Sequence, residues 1–279
     1  MHTTRFKLLP ALLAMITALG ACSASAQPAE QPEVPPTPAP AEPKPDQPEE
    51  APATDAKTVA LLEKIEAASA TLNTFKTRVR YTRLQTLTGD EQRRFGDFYY
   101  DAGDDDEPTR FAVLFDRIVV DERARPMKTW YIFDGNWLLE RDHDDKTAIR
   151  RELVPKGAEQ SGMLNMGDGQ MPIPLRLKAD EVLKTYKVQQ HVDEPFGEQT
   201  LHHLTLTPRK GKKDATPIDL WFDSETLLLQ KIVTTEDTDE IEMLFPTPKP
   251  NPEIKAETFD TAAPDKKDGW QVQEVPIED

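Results

Sequence analysis

Only a few side chains in this 279-residue chain are placed so that they could do chemistry. His202 and His203 are the obvious metal-ligand pair, yet the apolar alternation around them reads as a strand. Neighbours on a strand point to opposite faces, so the two rings cannot grip one ion together. His143, Asp144 and Asp145 fall in a polar hairpin loop, and Asp104-Asp105-Asp106 lacks the glycine and distal glutamate of a calcium loop. There is no Gly-x-Ser-x-Gly elbow, phosphate loop, dinucleotide fingerprint or paired zinc motif, and carboxylates are so numerous that none is singled out as catalytic. The sequence therefore reads as a non-enzyme with no cofactor and no metal. The one reactive group in a defined setting is the thiol of Cys22, the only cysteine of the chain, in Leu19-Gly20-Ala21-Cys22. A lone thiol excludes an intramolecular disulfide, so stability has to come from packing.

Residues 1–21 have the parts of a secretory signal: basic Arg5 and Lys7, an apolar run over 8–19, then small residues. The run is short of the roughly 20 residues a bilayer requires, so it is expected to be cleaved. Two cleavage points are open. Ala24-Ser25-Ala26 before Gln27 suits the ordinary signal peptidase and would release a soluble periplasmic protein. Leu19-Gly20-Ala21 before Cys22 resembles the lipobox of bacterial lipoproteins, which implies a diacylglycerol on the Cys22 sulfur and attachment to a membrane. Ser23 follows that cysteine where an aspartate would act as a retention signal, and the resemblance then points to the outer membrane.

Residues 22–54 form a Pro-, Ala- and Glu-rich tether, with ten of the 25 prolines between Pro28 and Pro52. Such a segment cannot bury enough surface to offset its ordering entropy. Extended at about 3.1 Å per residue, it would reach roughly 80 Å. The net charge of −16 and pI near 4.8 argue against nucleic acid, whose phosphates call for lysine and arginine, and against direct adhesion to anionic lipid. Membrane contact is therefore assigned to Cys22.

Residues 55–279 carry the folded domain. Asp55 can cap a helix whose stripe is Val59, Leu62, Ile65, Ala68 and Leu72. From Phe75 the period changes to two, with Phe75, Thr77, Val79 and Tyr81 alternating against Lys76, Arg78, Arg80 and Thr82. Further strands are predicted over 93–100, 110–120, 128–133, 137–140, 147–154, 188–192, 201–207, 218–222, 227–235 and 240–245, with a weak one over 253–259. Asp134-Gly135 is the strongest hairpin signal, and a short helix is expected over 178–186. The pattern is that of an α+β, mainly β domain: an unclosed antiparallel half-barrel of about eleven strands with a leading helix and a helical or irregular lid. The lid is the Gly- and Met-rich stretch with Met163, Met166, Met171, Ile173 and Leu175, flexible apolar side chains able to repack around guests of differing shape.

The order of these pieces resembles the LolA/LolB family of lipoprotein carriers and receptors. The matching pieces are the leading helix with the Phe75 strand, Gly96-Asp97-Phe98, the proline at 108, Asp134-Gly135, and Met171-Pro172-Ile173-Pro174-Leu175. Leu206-Thr207-Pro208, Ile218-Asp219-Leu220-Trp221-Phe222-Asp223, and the stretch from Asn251 to Phe259 with Pro264 complete the set. Where the family often has a lid-closing arginine before that first proline, this chain has Glu107, and Arg110 is near but not equivalent.

The resemblance implies an apolar cavity for lipoprotein acyl chains or phospholipid. Its lining would be Val79, Tyr81, Phe98, Phe111, Val113, Trp130, Ile132, Leu206, Leu220 and Phe222, and hollow space beneath the methionine segment is what that reading requires. It also implies donor or acceptor proteins of the envelope as partners, with no bond made or broken. Anchoring at Cys22 fits a receptor, cleavage after Ala26 a diffusing carrier. A sensor resembling RseB, contacting a membrane-bound regulator, is the alternative on the same fold.

Overall fold

In a computed structural model, which describes residues 54–104, 107–155, 164–165, 172–173, 175–209, 216–236 and 238–277, Asp55 begins the first element as an N-cap should. Its carboxylate accepts hydrogen bonds from the Thr58 amide and the Thr58 hydroxyl, each at 2.9 Å, and these hold its pKa below the usual value. Helix α1 (Ala56–Ala70) follows, burying Thr58, Leu61, Leu62, Ile65 and Ser69. The buried stripe lies slightly to one side of the expected one, with Leu61 inside and Val59 and Ala68 half-buried. Asn251, at φ 54°, fastens the helix exit. Its Oδ1 accepts from the amides of Asn73 (2.8 Å) and Thr74 (3.2 Å), and its Nδ2 donates to the Thr71 carbonyl (3.1 Å).

The strands are β1 (Thr74–Gln85), β2 (Glu91–Asp101), β3 (Arg110–Val120), β4 (Arg123–Phe133), β5 (Trp137–Asp142) and β6 (Thr147–Glu152). The two-residue β7 (Leu164–Asn165) and β8 (Pro172–Ile173) pair with each other, and α2 (Ala179–Thr185) comes next. The chain continues through β9 (Tyr186–Gln190), β10 (Glu194–Phe196), β11 (Gln199–Pro208), β12 (Ile218–Asp223), β13 (Leu229–Glu236), β14 (Asp239–Leu244), β15 (Lys249–Pro250) and β16 (Gln271–Val275). All strands except β7 and β8 form one 14-stranded sheet ordered β10-β11-β12-β13-β14-β1-β2-β3-β4-β5-β6-β16, with β9 beside β11 and β15 beside β1. The ends of that order do not meet, so the sheet is an open half-barrel with two helices.

Local chemistry accounts for the turns and the curl. β3 and β4 join through Asp121 and Glu122, both left-handed (φ 50° and 59°), the geometry of a two-residue hairpin turn. Asp134 Oδ1 accepts from the amides of Asn136 (2.9 Å) and Trp137 (2.8 Å) at the next hairpin, and Thr261 donates its hydroxyl to Asp134 Oδ2. The register slips at Phe95/Gly96 between β2 and β3, at Phe115/Arg117 between β3 and β4, and at Trp221/Phe222 between β12 and β13. Such bulges bend a sheet and increase its twist, which is how a flat ladder becomes a trough. Gly96 sits at one of them, where a Cβ would lie 2.3 Å from the Leu114 carbonyl oxygen.

Two expectations are corrected. Residues 253–259 are not a strand: Ala256–Phe259 is a 3₁₀ turn that drives Phe259 into a small cluster with Ala112 and Ile132. The sheet is also not wholly antiparallel, because β16 runs parallel to β6, pairing Gln271 with Thr147 through Val275 with Arg151.

Candidate functional site

One face of the sheet, its inner face, carries the main apolar core and is covered by α1, α2, Ile173, Leu175 and Leu177. Period-two alternation on each strand builds it: Phe75, Val79 and the half-buried Tyr81 from β1, Phe98 and Tyr100 from β2, Phe111, Val113 and Phe115 from β3. Leu204 and Leu206, Leu220 and Phe222, Ile232, Ile241 and Met243 extend the layer through β11 to β14. The rings interlock edge to face: Phe75 meets Phe98 at 6.1 Å and Phe245 at 6.3 Å, and Phe98 meets Phe245 at 5.4 Å. Tyr81 and Tyr131 flank Phe115 at 6.1 and 6.2 Å.

Eight of the ten residues expected to line a cavity belong to this inner layer: Val79, Tyr81, Phe98, Phe111, Val113, Leu206, Leu220 and Phe222. Trp130 and Ile132 do not. Because β4 pairs Val113 with Tyr131 and Phe111 with Phe133, those two side chains take the inner positions, and Trp130 and Ile132 turn to the outer face beside Phe259. Of the lid residues, Ile173 is fully buried and Leu175 nearly so, both against the core. Met163, Met166 and Met171 lie outside the described residues, as do Cys22, the signal region and the tether.

Among the described residues, the space at the cover is a crevice of about 10 Å³, partly open to solvent. It lies between the end of α1 (Ile65, Ser69, Leu72), Leu175, and the stretch from Phe222 to Leu229. That is room for about one water molecule, so the hollow required by a lipid-binding reading is not found among the described residues, and a guest would have to displace side chains. Elsewhere the inner face is filled by its own side chains and by Leu61, Leu62 and Ile65 of the helix.

The tyrosines of this layer are strongly perturbed. Burial pushes the Tyr100 phenol up to about 12, the Arg176 guanidinium opposing it. Burial, aided by the Glu140 charge, pushes Tyr131 to about 12 against the pull of Arg94, and its hydroxyl lies 3.3 Å from Glu140 Oε1. Both therefore present neutral hydroxyls in an apolar wall at physiological pH.

Arg110 lies on the outer face, bonded to Asp101 (2.6 Å) and Glu107 (2.8 Å) with its guanidinium 5.2 Å over Phe259. It faces away from the helical cover. His143 packs in an outer aromatic corner between Trp130 (4.4 Å) and Trp270 (5.3 Å), and burial lowers its pKa. His202 and His203 do diverge, His202 to Asp193 and His203 to Glu194 and Asp219.

No protein-family model matches the chain, and no curated protein sequence does. Among solved structures it is similar to an uncharacterized conserved protein from Thermus thermophilus, at 8% identity over 79% of this chain and 99% of that one (TM-score 0.44). It is also similar to a putative outer membrane lipoprotein-sorting protein domain from Vibrio parahaemolyticus, at 10% identity over 74% and 97% of the two chains (TM-score 0.41). A third structure it resembles is the LolA superfamily protein NE2245 from Nitrosomonas europaea, at 11% identity over 72% and 96% (TM-score 0.34).

Proposed function

We propose that this chain binds the acyl chains of lipoproteins or phospholipid on the periplasmic side of a bacterial envelope, between the inner face of its half-barrel and the helical cover. The observation that carries the reading is a continuous aromatic and aliphatic wall on an open sheet, roofed by one 15-residue helix, one 7-residue helix and a short buried segment. Ligand entry exchanges one apolar partner for another. Lifting Leu61, Leu62 and Ile65 off the wall costs roughly 5–9 kcal/mol at about 1.5–3 kcal/mol per side chain. A guest tail of about 15 methylenes leaving water returns roughly 12 kcal/mol at about 0.8 kcal/mol each, more than the cost of lifting those side chains.

Attachment through an acylated Cys22 makes the protein a tethered receptor, and cleavage after Ala26 makes it a carrier. Donor and acceptor proteins of the envelope are its partners in either case. Native mass spectrometry of chain purified from membranes should reveal co-purified diacyl species, and intact mass of the mature N-terminus separates the two forms. If delipidated protein takes up neither diacylglyceryl peptide nor a fluorescent fatty acid, lipid handling is excluded.

A further inference from the structure

His191, just beyond β9, lies directly opposite His203 on β11, its amide bonded to the His203 carbonyl at 2.9 Å, and Asp219 projects beside them from β12. We propose that these three side chains form a binding site for a zinc-class divalent cation on the outer face of the sheet. Two imidazoles and a carboxylate are a donor set suited to such ions, and three protein ligands leave a fourth position for water. Their donor atoms all lie within 4.8 Å of one another. A shared ion at about 2.0–2.1 Å would bring them to about 3.3 Å apart, a movement within reach of side-chain rotation for groups that are only partly buried.

The surroundings of His203 point the same way. Its ring places Nδ1 2.8 Å from Glu194 and Nε2 2.9 Å from Asp219, so both nitrogens face carboxylate oxygens. Glu194 at Nδ1 leaves Nε2 turned toward Asp219, where an ion between the two would be bound by both. Glu194 is itself held, since the Trp221 indole N–H donates to its other oxygen at 3.0 Å. A carboxylate fixing the far nitrogen of a histidine ligand is the usual outer support of a metal site. His203 is stacked between His191 (4.3 Å) and Trp221 (4.1 Å), so coordination requires His191 to rotate until its ring plane meets the ion. Thr205, bonded to both His191 and Asp219, keeps those donors on the same side.

The test is calorimetric titration of the untagged full chain with Zn²⁺, and with Co²⁺ followed by visible absorption. One saturable ion per chain is expected, lost in His203→Phe and in His191→Phe, which keep a planar ring in the stack, and lost in Asp219→Asn. Glu194→Gln should weaken binding by about 10–100-fold, and His202→Ala should leave it unchanged. Circular dichroism establishes that each variant is folded. Absence of saturable uptake by the native chain overturns the proposal. Uptake that survives both phenylalanine variants, as ions on Cys22 would, overturns it equally.

Discussion

Gly96→Ala inserts one methyl group at the bulge where β2 closely approaches the backbone of β3. Its Cβ would stand 2.3 Å from the Leu114 carbonyl oxygen and 2.8 Å from the Leu114 carbonyl carbon and from Phe115 Cα, all backbone atoms that no side-chain rotation can move aside. Relief requires the strands to part by about 1 Å at the bulge, with an overpacking cost of about 1–3 kcal/mol and ladder hydrogen bonds worth about 0.5–1.5 kcal/mol each stretched or lost. A net destabilisation of about 2–4 kcal/mol follows, which at roughly 2 kcal/mol/M lowers the urea midpoint by about 1–2 M. The sign is diagnostic. Removing a strand glycine ordinarily gains about 0.5–1 kcal/mol from the unfolded chain, so without the close approach the variant would be the more stable protein. Gly197→Ala is the control: its φ of 62° carries a conformational cost of about 1–2 kcal/mol, but nothing lies within 4 Å of the new methyl. A Gly96→Ala midpoint equal to or above the native one would refute the account of how the sheet curls.

Phe98→Ala empties a fully buried site between Phe75 and Phe245, and equilibrium unfolding should show a loss of about 3–5 kcal/mol. Leu62→Ala, on the covered face of α1, should cost about 2–5 kcal/mol by the same measurement. In the proposed lipid-binding role it should also raise the uptake of a fluorescent fatty acid, because it weakens the roof over the apolar wall. Tyr100 and Tyr131 hold their protons more tightly in the fold than in the unfolded chain. The stability they give is thus complete below pH 10 and is lost as pH rises from about 10 to 12, on the order of a few kcal/mol for each, and Tyr131→Phe should flatten the alkaline slope of the urea midpoint. Asp134→Ala leaves the amides of Asn136 and Trp137 and the hydroxyl of Thr261 without their acceptor, and thermal unfolding should register about 1–3 kcal/mol.

Alternation makes most of the half-barrel legible. Phe75 to Tyr81 against Lys76 to Thr82 has one wet face and one dry, and Arg110–Val120 falls where the pattern places it. The pattern fails where both faces are apolar. Trp130, Tyr131, Ile132 and Phe133 are all hydrophobic, so periodicity cannot say which pair faces in; the deciding contact is Phe259, distant in sequence and set by a 3₁₀ turn with no apolar period of its own. β16 escapes periodicity because four of its five residues are exposed and mostly polar, leaving the ladder to β6 as its reason to exist. The β3–β4 turn escapes too, because Asp121-Glu122 takes left-handed geometry without glycine or asparagine. The histidine cluster is out of reach for another reason. Divergence of His202 from His203 follows from one strand, but convergence of His203 with His191 and Asp219 depends on the register of three.

Asn251 pins one end of α1 and leaves the other to friction. The Thr71–Thr74 exit is gripped by its side chain, while the Asp55 end has its own cap and the adhesion of Leu61, Leu62 and Ile65. A rod hinged at one tip and stuck along its length comes away by pivoting, and its far tip travels most. That far tip is the Asp55 end, so the helix would lift there first while staying fastened at Thr71–Thr74.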